Sequence, residues 1–195
     1  MELPQAQRVV LYLGLDNIFK RKNMMKHILK TALFLITITM SLSIQSQTDF
    51  EQNGISVGVI VSDLEASKIF YTKIVGMIEV PGFSVTDDIG KRTGLTGGLP
   101  FDVTVLKLED TPTASQWKLM SFKKEATHPK QKYIQDDTGM QYITIFPKDM
   151  AGAIARIKKN NIPTLGETPI QLPNGKTFVL IQDPDGTFIE LIGDL

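Results

Sequence analysis

The chain has 195 residues, 42% of them hydrophobic and 22% charged, a balance that suits one globular domain with an appendage. Six of its 21 basic and two of its 21 acidic side chains fall in residues 1–46, so the remainder is net acidic by four. A mildly acidic body without a basic stripe argues against nucleic-acid binding, and the absence of cysteine excludes disulfides and a lipoprotein anchor.

The basic front end has an order of its own. Lys20, Arg21, Lys22, Lys26 and Lys30 precede an apolar run from Ala32 to Leu42, which leads into Ser43-Ile44-Gln45-Ser46-Gln47. A charged region, a short apolar region and a small polar region in sequence are the parts of an export signal. The apolar run of roughly a dozen residues falls short of the ~20 that span a bilayer as a helix. Residues 1–46 are therefore expected to be an N-terminal extension and signal peptide, removed after Ser46 or Ser43, with Met24 or Met25 the better-placed start. Residues 47–195 would then form the exported domain, periplasmic or secreted, with no membrane attachment after cleavage.

Along the mature chain, Ile55–Val61 reads as a short β-branched strand. Ser62-Asp63 supplies a helix cap, and Leu64, Ser67, Ile69, Phe70, Ile74 and Val75 make a largely apolar stripe that stops at Gly76. Met77–Val80 follows as a strand ended by Pro81-Gly82. Residues 83–99 carry four glycines and predict no element. Phe101–Leu108 and Gln116–Phe122 alternate as two strands around Asp110-Thr-Pro112. Lys123–Thr138 is polar, without a sustained period, and reads as a connection.

The order then recurs. Met140–Phe146 predicts a strand, Pro147–Asn160 an amphipathic helix, Ile162–Leu165 a short strand, and Lys176–Gln182 with Thr187–Ile192 a hairpin around Asp183-Pro184-Asp185-Gly186. Val57–Leu64 and Ile143–Met150 superimpose at an offset of 86 positions, apolar on apolar. The expected fold is α+β: two βαβββ halves, about 55–123 and 139–193, forming a curved, roughly eight-stranded mixed sheet around a cavity. Pairing two sheets buries the face that each would leave bare, and the space between them is a natural ligand site.

Val57–Ser67 with Phe70-Tyr71 and Val75-Gly76-Met77, and the closing run Phe178–Leu191 with its Asp183-Pro184-Asp185-Gly186 turn, resemble the two ends of vicinal-oxygen-chelate proteins. These are the glyoxalase, bleomycin-resistance and dioxygenase-like proteins, and the resemblance spans about residues 55–193. Metal-using members hold a divalent cation on four inward-facing side chains, one on the first and one on the last strand of each half. Carried over position by position, those places fall on Ser56, Lys118, Tyr142 and Glu190. Only Glu190 matches. A protonated lysine has no lone pair to offer a metal, and of the two histidines His27 lies in the signal segment and His128 in the connection.

The resemblance, with this departure, implies a small-molecule binder lacking the usual metal, with Ser56, Lys118, Tyr142 and Glu190 as cavity residues. In it either the Lys118 ammonium and Glu190 form a pair, with Ser56 and Tyr142 supplying the hydroxyls that such a pair needs when desolvated, or Lys118 points outward and Glu190 binds water or a backbone amide. The alternative is a metal-dependent lyase, isomerase or dioxygenase with a degenerate site. There a homodimer, common in the superfamily, would let a partner chain contribute a ligand. A third reading is an interaction module whose cavity is filled by side chains. Trp117 and the strand phenylalanines are expected in the core. Gly94-Leu-Thr-Gly97-Gly98 lacks the lysine and helix of a nucleotide loop, and no nucleophile–histidine set can be assembled.

Overall fold

The computed structural model divides the chain into two compact units, Met1–Glu51 and Gln52–Leu195. It describes residues 24–26 of the first, an exposed helical turn, and residues 54–122 and 129–195 of the second. The remainder of the expected export signal, and His128, lie outside the described residues.

In the second unit β1 (Ser56–Ile60) opens the first half. Asp63 caps α1 (Leu64–Ile69), its carboxylate accepting from the Ala66 N–H at 3.0 Å. The helix widens into a π-helical turn over Phe70–Val75 and stops at Gly76, whose φ of 99° suits glycine. The next strand, β2 (Ile78–Val85), does not end at Pro81-Gly82 as the sequence suggested; it runs through both on an irregularity between Val80 and Phe83. The bulge frees proline from a ladder hydrogen bond. Gly82 is required there, since a Cβ would lie 2.2 Å from the Val103 carbonyl oxygen. The glycine-rich stretch holds α2 (Asp87–Arg92), capped by Thr86. β3 (Phe101–Lys107) and β4 (Gln116–Met120) complete the half.

The second half repeats the opening closely. β5 (Tyr142–Ile145) starts 86 positions after β1, and Asp149, 86 positions after Asp63, caps α3 (Met150–Lys159) through the Gly152 N–H at 2.8 Å. The strand expected over Ile162–Leu165 is absent. That stretch is irregular, with a hydrogen bond from the Leu165 N–H to the Leu180 carbonyl, and the edge strand is the later, two-residue β6 (Ile170–Gln171). β7 (Thr177–Gln182) and β8 (Phe188–Gly193) form the closing hairpin.

The eight strands make two four-stranded mixed sheets of identical order, β1-β4-β3-β2 and β5-β8-β7-β6. In each, the first and last strands pair in parallel and the others antiparallel. Among the described residues no strand ladder joins one sheet to the other. Alternation sends Val57, Val59, Trp117 and Leu119 of one sheet, and Ile143, Ile145, Ile189 and Leu191 of the other, into one apolar core shared with Tyr71, Met150 and Ile157. That shared core makes the two halves one body, and it leaves the opposite face of each sheet open.

Two polar clasps cross between the halves. Arg156 on α3 donates through Nε and Nη2 to the carbonyls of Ile74 and Val75, at 3.0 and 3.4 Å, where the π-helical turn leaves them unpaired. The turn between β7 and β8 reaches back to α1. Tyr71 donates its hydroxyl to Asp183 Oδ2 at 2.7 Å, and Asp183 Oδ1 accepts the N–H groups of Asp185 and Thr187 at 3.0 and 2.8 Å. Asp185 accepts in turn from the Ser62 N–H at 3.1 Å and from Ser67 Oγ at 3.5 Å.

Candidate functional site

The residues singled out from the sequence fall on the open faces. On the first sheet the direct partners Gly58, Lys118, Val105 and Val80 form one row across all four strands. A residue paired across a ladder shares its neighbour's face, so Lys118 stands opposite to the buried Trp117 and Leu119 on either side of it. On the second sheet Thr144, Glu190 and Leu180 form the corresponding row. Lys118 and Glu190 thus occupy matching places, each on the last strand of its half.

Their surroundings differ. Glu190 accepts a hydrogen bond from Thr144 Oγ1 at 2.6 Å, across the parallel pair β5–β8. The Lys118 ammonium sits 5.7 Å from the centre of the half-exposed Phe83 ring, close enough for a cation–π contact. Among the described residues no carboxylate pairs with it and no hydrogen-bond acceptor meets it. The ion pair between Lys118 and Glu190 that the sequence suggested is therefore not formed within this chain; each group finds its neighbour on its own sheet. Ser56 lies one row away, opposite Gln116, and donates its hydroxyl to Gln116 Oε1 at 3.2 Å. Tyr142 lies opposite Phe188 and is exposed. The parallel ladders consequently put Gly58 and Thr144, not Ser56 and Tyr142, beside Lys118 and Glu190. Thr144 was legible in principle, being two residues beyond Tyr142 on the same face; Phe83 was hidden in the stretch that predicted no element.

Two cavities adjoin the seam between the halves, and the buried Trp117 ring borders both. One, of about 190 Å³, is walled by apolar side chains, among them Ile55, Val57, Met77, Leu106 and Ile143. The other, of about 260 Å³, has a mixed wall that includes Gly58, Ile60, Gln131, Asp137, Gln141 and Thr187. Neither is walled by Ser56, Lys118, Tyr142 or Glu190, and each is smaller than the ~300–1,000 Å³ of an enclosing ligand pocket. The mixed cavity runs along Gly58, the direct neighbour of Lys118. It follows the β1 edge of the first sheet, with Val59 and Trp117 of the core side also in its wall.

The donors do not fit a divalent cation. The four family positions supply one carboxylate, one ammonium and two hydroxyls. Among the described residues no three of His, Cys, Asp and Glu come together as a metal site. A protonated lysine at one of the four places would repel the ion rather than bind it. The most perturbed titratable group lies elsewhere. Tyr71 is fully buried, and its phenol is pushed well above the ordinary range by burial and by the Asp183 carboxylate that it donates to. Its ring lies 5.6 Å from that of Trp117, whose buried indole N–H stops short of completing a hydrogen bond.

Comparisons with known proteins place this geometry. Residues 55–191 match the family model of the Glyoxalase/Bleomycin resistance protein/Dioxygenase superfamily. The protein YwbC of Bacillus subtilis (strain 168) is 25% identical over 133 residues, which cover 68% of this chain and 90% of that one. A glyoxalase family protein from Bacillus cereus superposes with a TM-score of 0.60 at 19% identity, over 77% of this chain and 98% of that one. A glyoxalase I mutant from Zea mays superposes with a TM-score of 0.54 at 21% identity, over 71% of this chain and 44% of that one. At these identities the solved structures speak for the fold alone.

Proposed function

The chain belongs to the Glyoxalase/Bleomycin resistance protein/Dioxygenase superfamily, and from that premise we propose that it is an exported protein that binds a small organic molecule between its two halves without a divalent cation. The observation that carries this reading is the pair of matched rows. Where a metal-using relative needs ligands on the last strand of each half, this chain has an ammonium on one and a threonine-bound carboxylate on the other. That arrangement keeps polar anchors on the two open faces while removing most of the electron-pair donors that a metal centre needs. Export rests on the basic, apolar and small-polar order of residues 20–47.

The test is metal content and compartment, measured on the full chain expressed in a Gram-negative host and purified without chelator. The expected result is an extracytoplasmic protein cleaved near Ser46, with substoichiometric metal and no gain in Tm from Zn, Mn, Ni or Fe(II). A stoichiometric metal that is lost on Glu190→Ala would overturn the reading and place the protein with the metal-dependent lyases, isomerases or dioxygenases. An uncleaved cytoplasmic chain would overturn the export half alone.

A further inference from the structure

We propose that the open face of the first sheet is an anion-anchored apolar site, which takes an organic carboxylate with a flat apolar body, its charge on Lys118 and its body against Phe83 and Ile60. This rests on the reading of the chain as a small-molecule binder and names the class of molecule.

Three observations converge on it. The first is the charge. The Lys118 ammonium has no carboxylate or hydrogen-bond acceptor among the described residues and makes only its contact with the Phe83 ring, 5.7 Å to the centroid. An ammonium held against an aromatic ring is partly screened from water, so an anion arriving there gains a charge-assisted hydrogen bond. The other lysine on this face, Lys107, is already committed, donating to the Thr111 carbonyl at 2.8 Å.

The second observation is the strand position beside Lys118. Its ladder partner on β1 is Gly58, which carries no side chain. A Cβ at Gly58 would meet only the terminal methyl of Met120, at 3.1 Å. Backbone strain does not demand this glycine, because its φ is not in the left-handed region. A bare strand position is a common mark of a close approach by another molecule.

The third is the apolar surround. Ile60 is 55% exposed and Phe83 50% exposed, next to the small buried cluster of Val85, Val103 and Val105. A half-exposed ring against a lone cation, with Ile60 exposed on the same face, favours an amphipathic anion over either an inorganic anion or a neutral hydrocarbon. The second sheet offers the contrary setting, because Glu190 in the matching place would repel a carboxylate. The anion anchor is therefore expected on the first half only.

The experiment is titration of the full chain with phenylacetate, 2-naphthylacetate and decanoate, followed by Trp117 fluorescence and by calorimetry. Phenylacetamide and acetate serve as the neutral and the body-less controls, and every titration is run with and without added Zn and Mn. The expected result is saturable binding of at least one apolar carboxylate in the absence of metal. It should weaken about tenfold or more in Lys118→Met, survive in Lys118→Arg, fall in Gly58→Val, and be weaker for both controls. Unchanged affinity in Lys118→Met, or no binding of any of the three carboxylates, would overturn the inference. Phenylacetamide binding as well as phenylacetate would overturn the anion assignment and leave the metal-free binder standing. Binding that appears only with added metal and vanishes in Glu190→Ala would overturn both.

Discussion

The two halves share strand order, parallel register and helix caps, and they differ in how the last turn and the open face are finished. In the first half the turn between the last two strands, Leu108–Ser115, is exposed around Asp110 and Pro112. In the second half the corresponding Asp183-Pro184-Asp185-Gly186 turn is folded inward, and its first aspartate is 5% exposed. The first half instead spends its extra residues on the bulged β2 and on α2, at the edge of an apolar face carrying Lys118. The two copies of the unit are thus finished differently. The second half supplies the turn that clasps the pair together, and the first keeps the apolar face proposed to hold a ligand.

The largest effect should come from breaking that division at the turn. Asp183→Ala removes the acceptor for the Tyr71 hydroxyl and for the N–H groups of Asp185 and Thr187 at once. Buried donors left unsatisfied cost about 1–3 kcal/mol each before relaxation and water entry, so a loss of about 3–4 kcal/mol is expected in urea unfolding. Asp110→Ala, at the exposed turn of the other half, should stay within about 0.5 kcal/mol. Equal losses at the two sites would abolish the distinction between clasp and plain turn.

A pH titration sharpens the same contrast. Tyr71 has its phenol raised in the folded state by burial and by Asp183, whereas in the unfolded chain it ionises near pH 10 as phenols ordinarily do. Below that value both states hold the proton and the full stabilisation is present. Above it the unfolded state alone releases the proton, so the unfolded state is favoured and stability falls as pH rises. The expected loss is about 1 kcal/mol between pH 10 and 11, the slope approaching about 1.4 kcal/mol per pH unit above that. Tyr71→Phe should be less stable at pH 8 by about 1 kcal/mol or more, through the lost hydrogen bond, and should lack that added slope. A variant with the same slope as the parent would place the alkaline loss elsewhere.

The duplication was legible because its signals are local. The offset of 86 sets Asp63 over Asp149 and Ser56 over Tyr142, and both aspartates do cap helices. The Asp183-Pro184-Asp185-Gly186 turn was equally plain, although nothing in its residues tells that both aspartates reach across to the other half. What failed were features decided by distant partners. Pro81-Gly82 reads as a strand end, and only the approach of the Val103 carbonyl makes the pair a bulge within a longer strand. Ile162–Leu165 has strand composition, yet the edge of the second sheet is taken by Ile170–Gln171. Parallel register is set by the crossover through the helix rather than by a turn. The sequence therefore named Lys118 and Glu190 without their ladder neighbours Gly58 and Thr144.

That register yields the smallest effect and the most pointed test. If Glu190 answers to Thr144 on its own sheet, a double-mutant cycle of Thr144→Val with Glu190→Gln should show coupling of about 1 kcal/mol, the worth of one partly exposed hydrogen bond to a carboxylate. The cycle of Lys118→Met with Glu190→Gln should show none beyond about 0.3 kcal/mol, since these groups make no ion pair in the chain. Urea midpoints of the five variants (three single, two double) and the parent give both numbers from one series. Coupling of 1 kcal/mol or more between Lys118 and Glu190 at dilute concentration would mean that the two sheets close on each other in solution. The carboxylate on Lys118 would then be the chain's own, and an incoming acid would have to displace it.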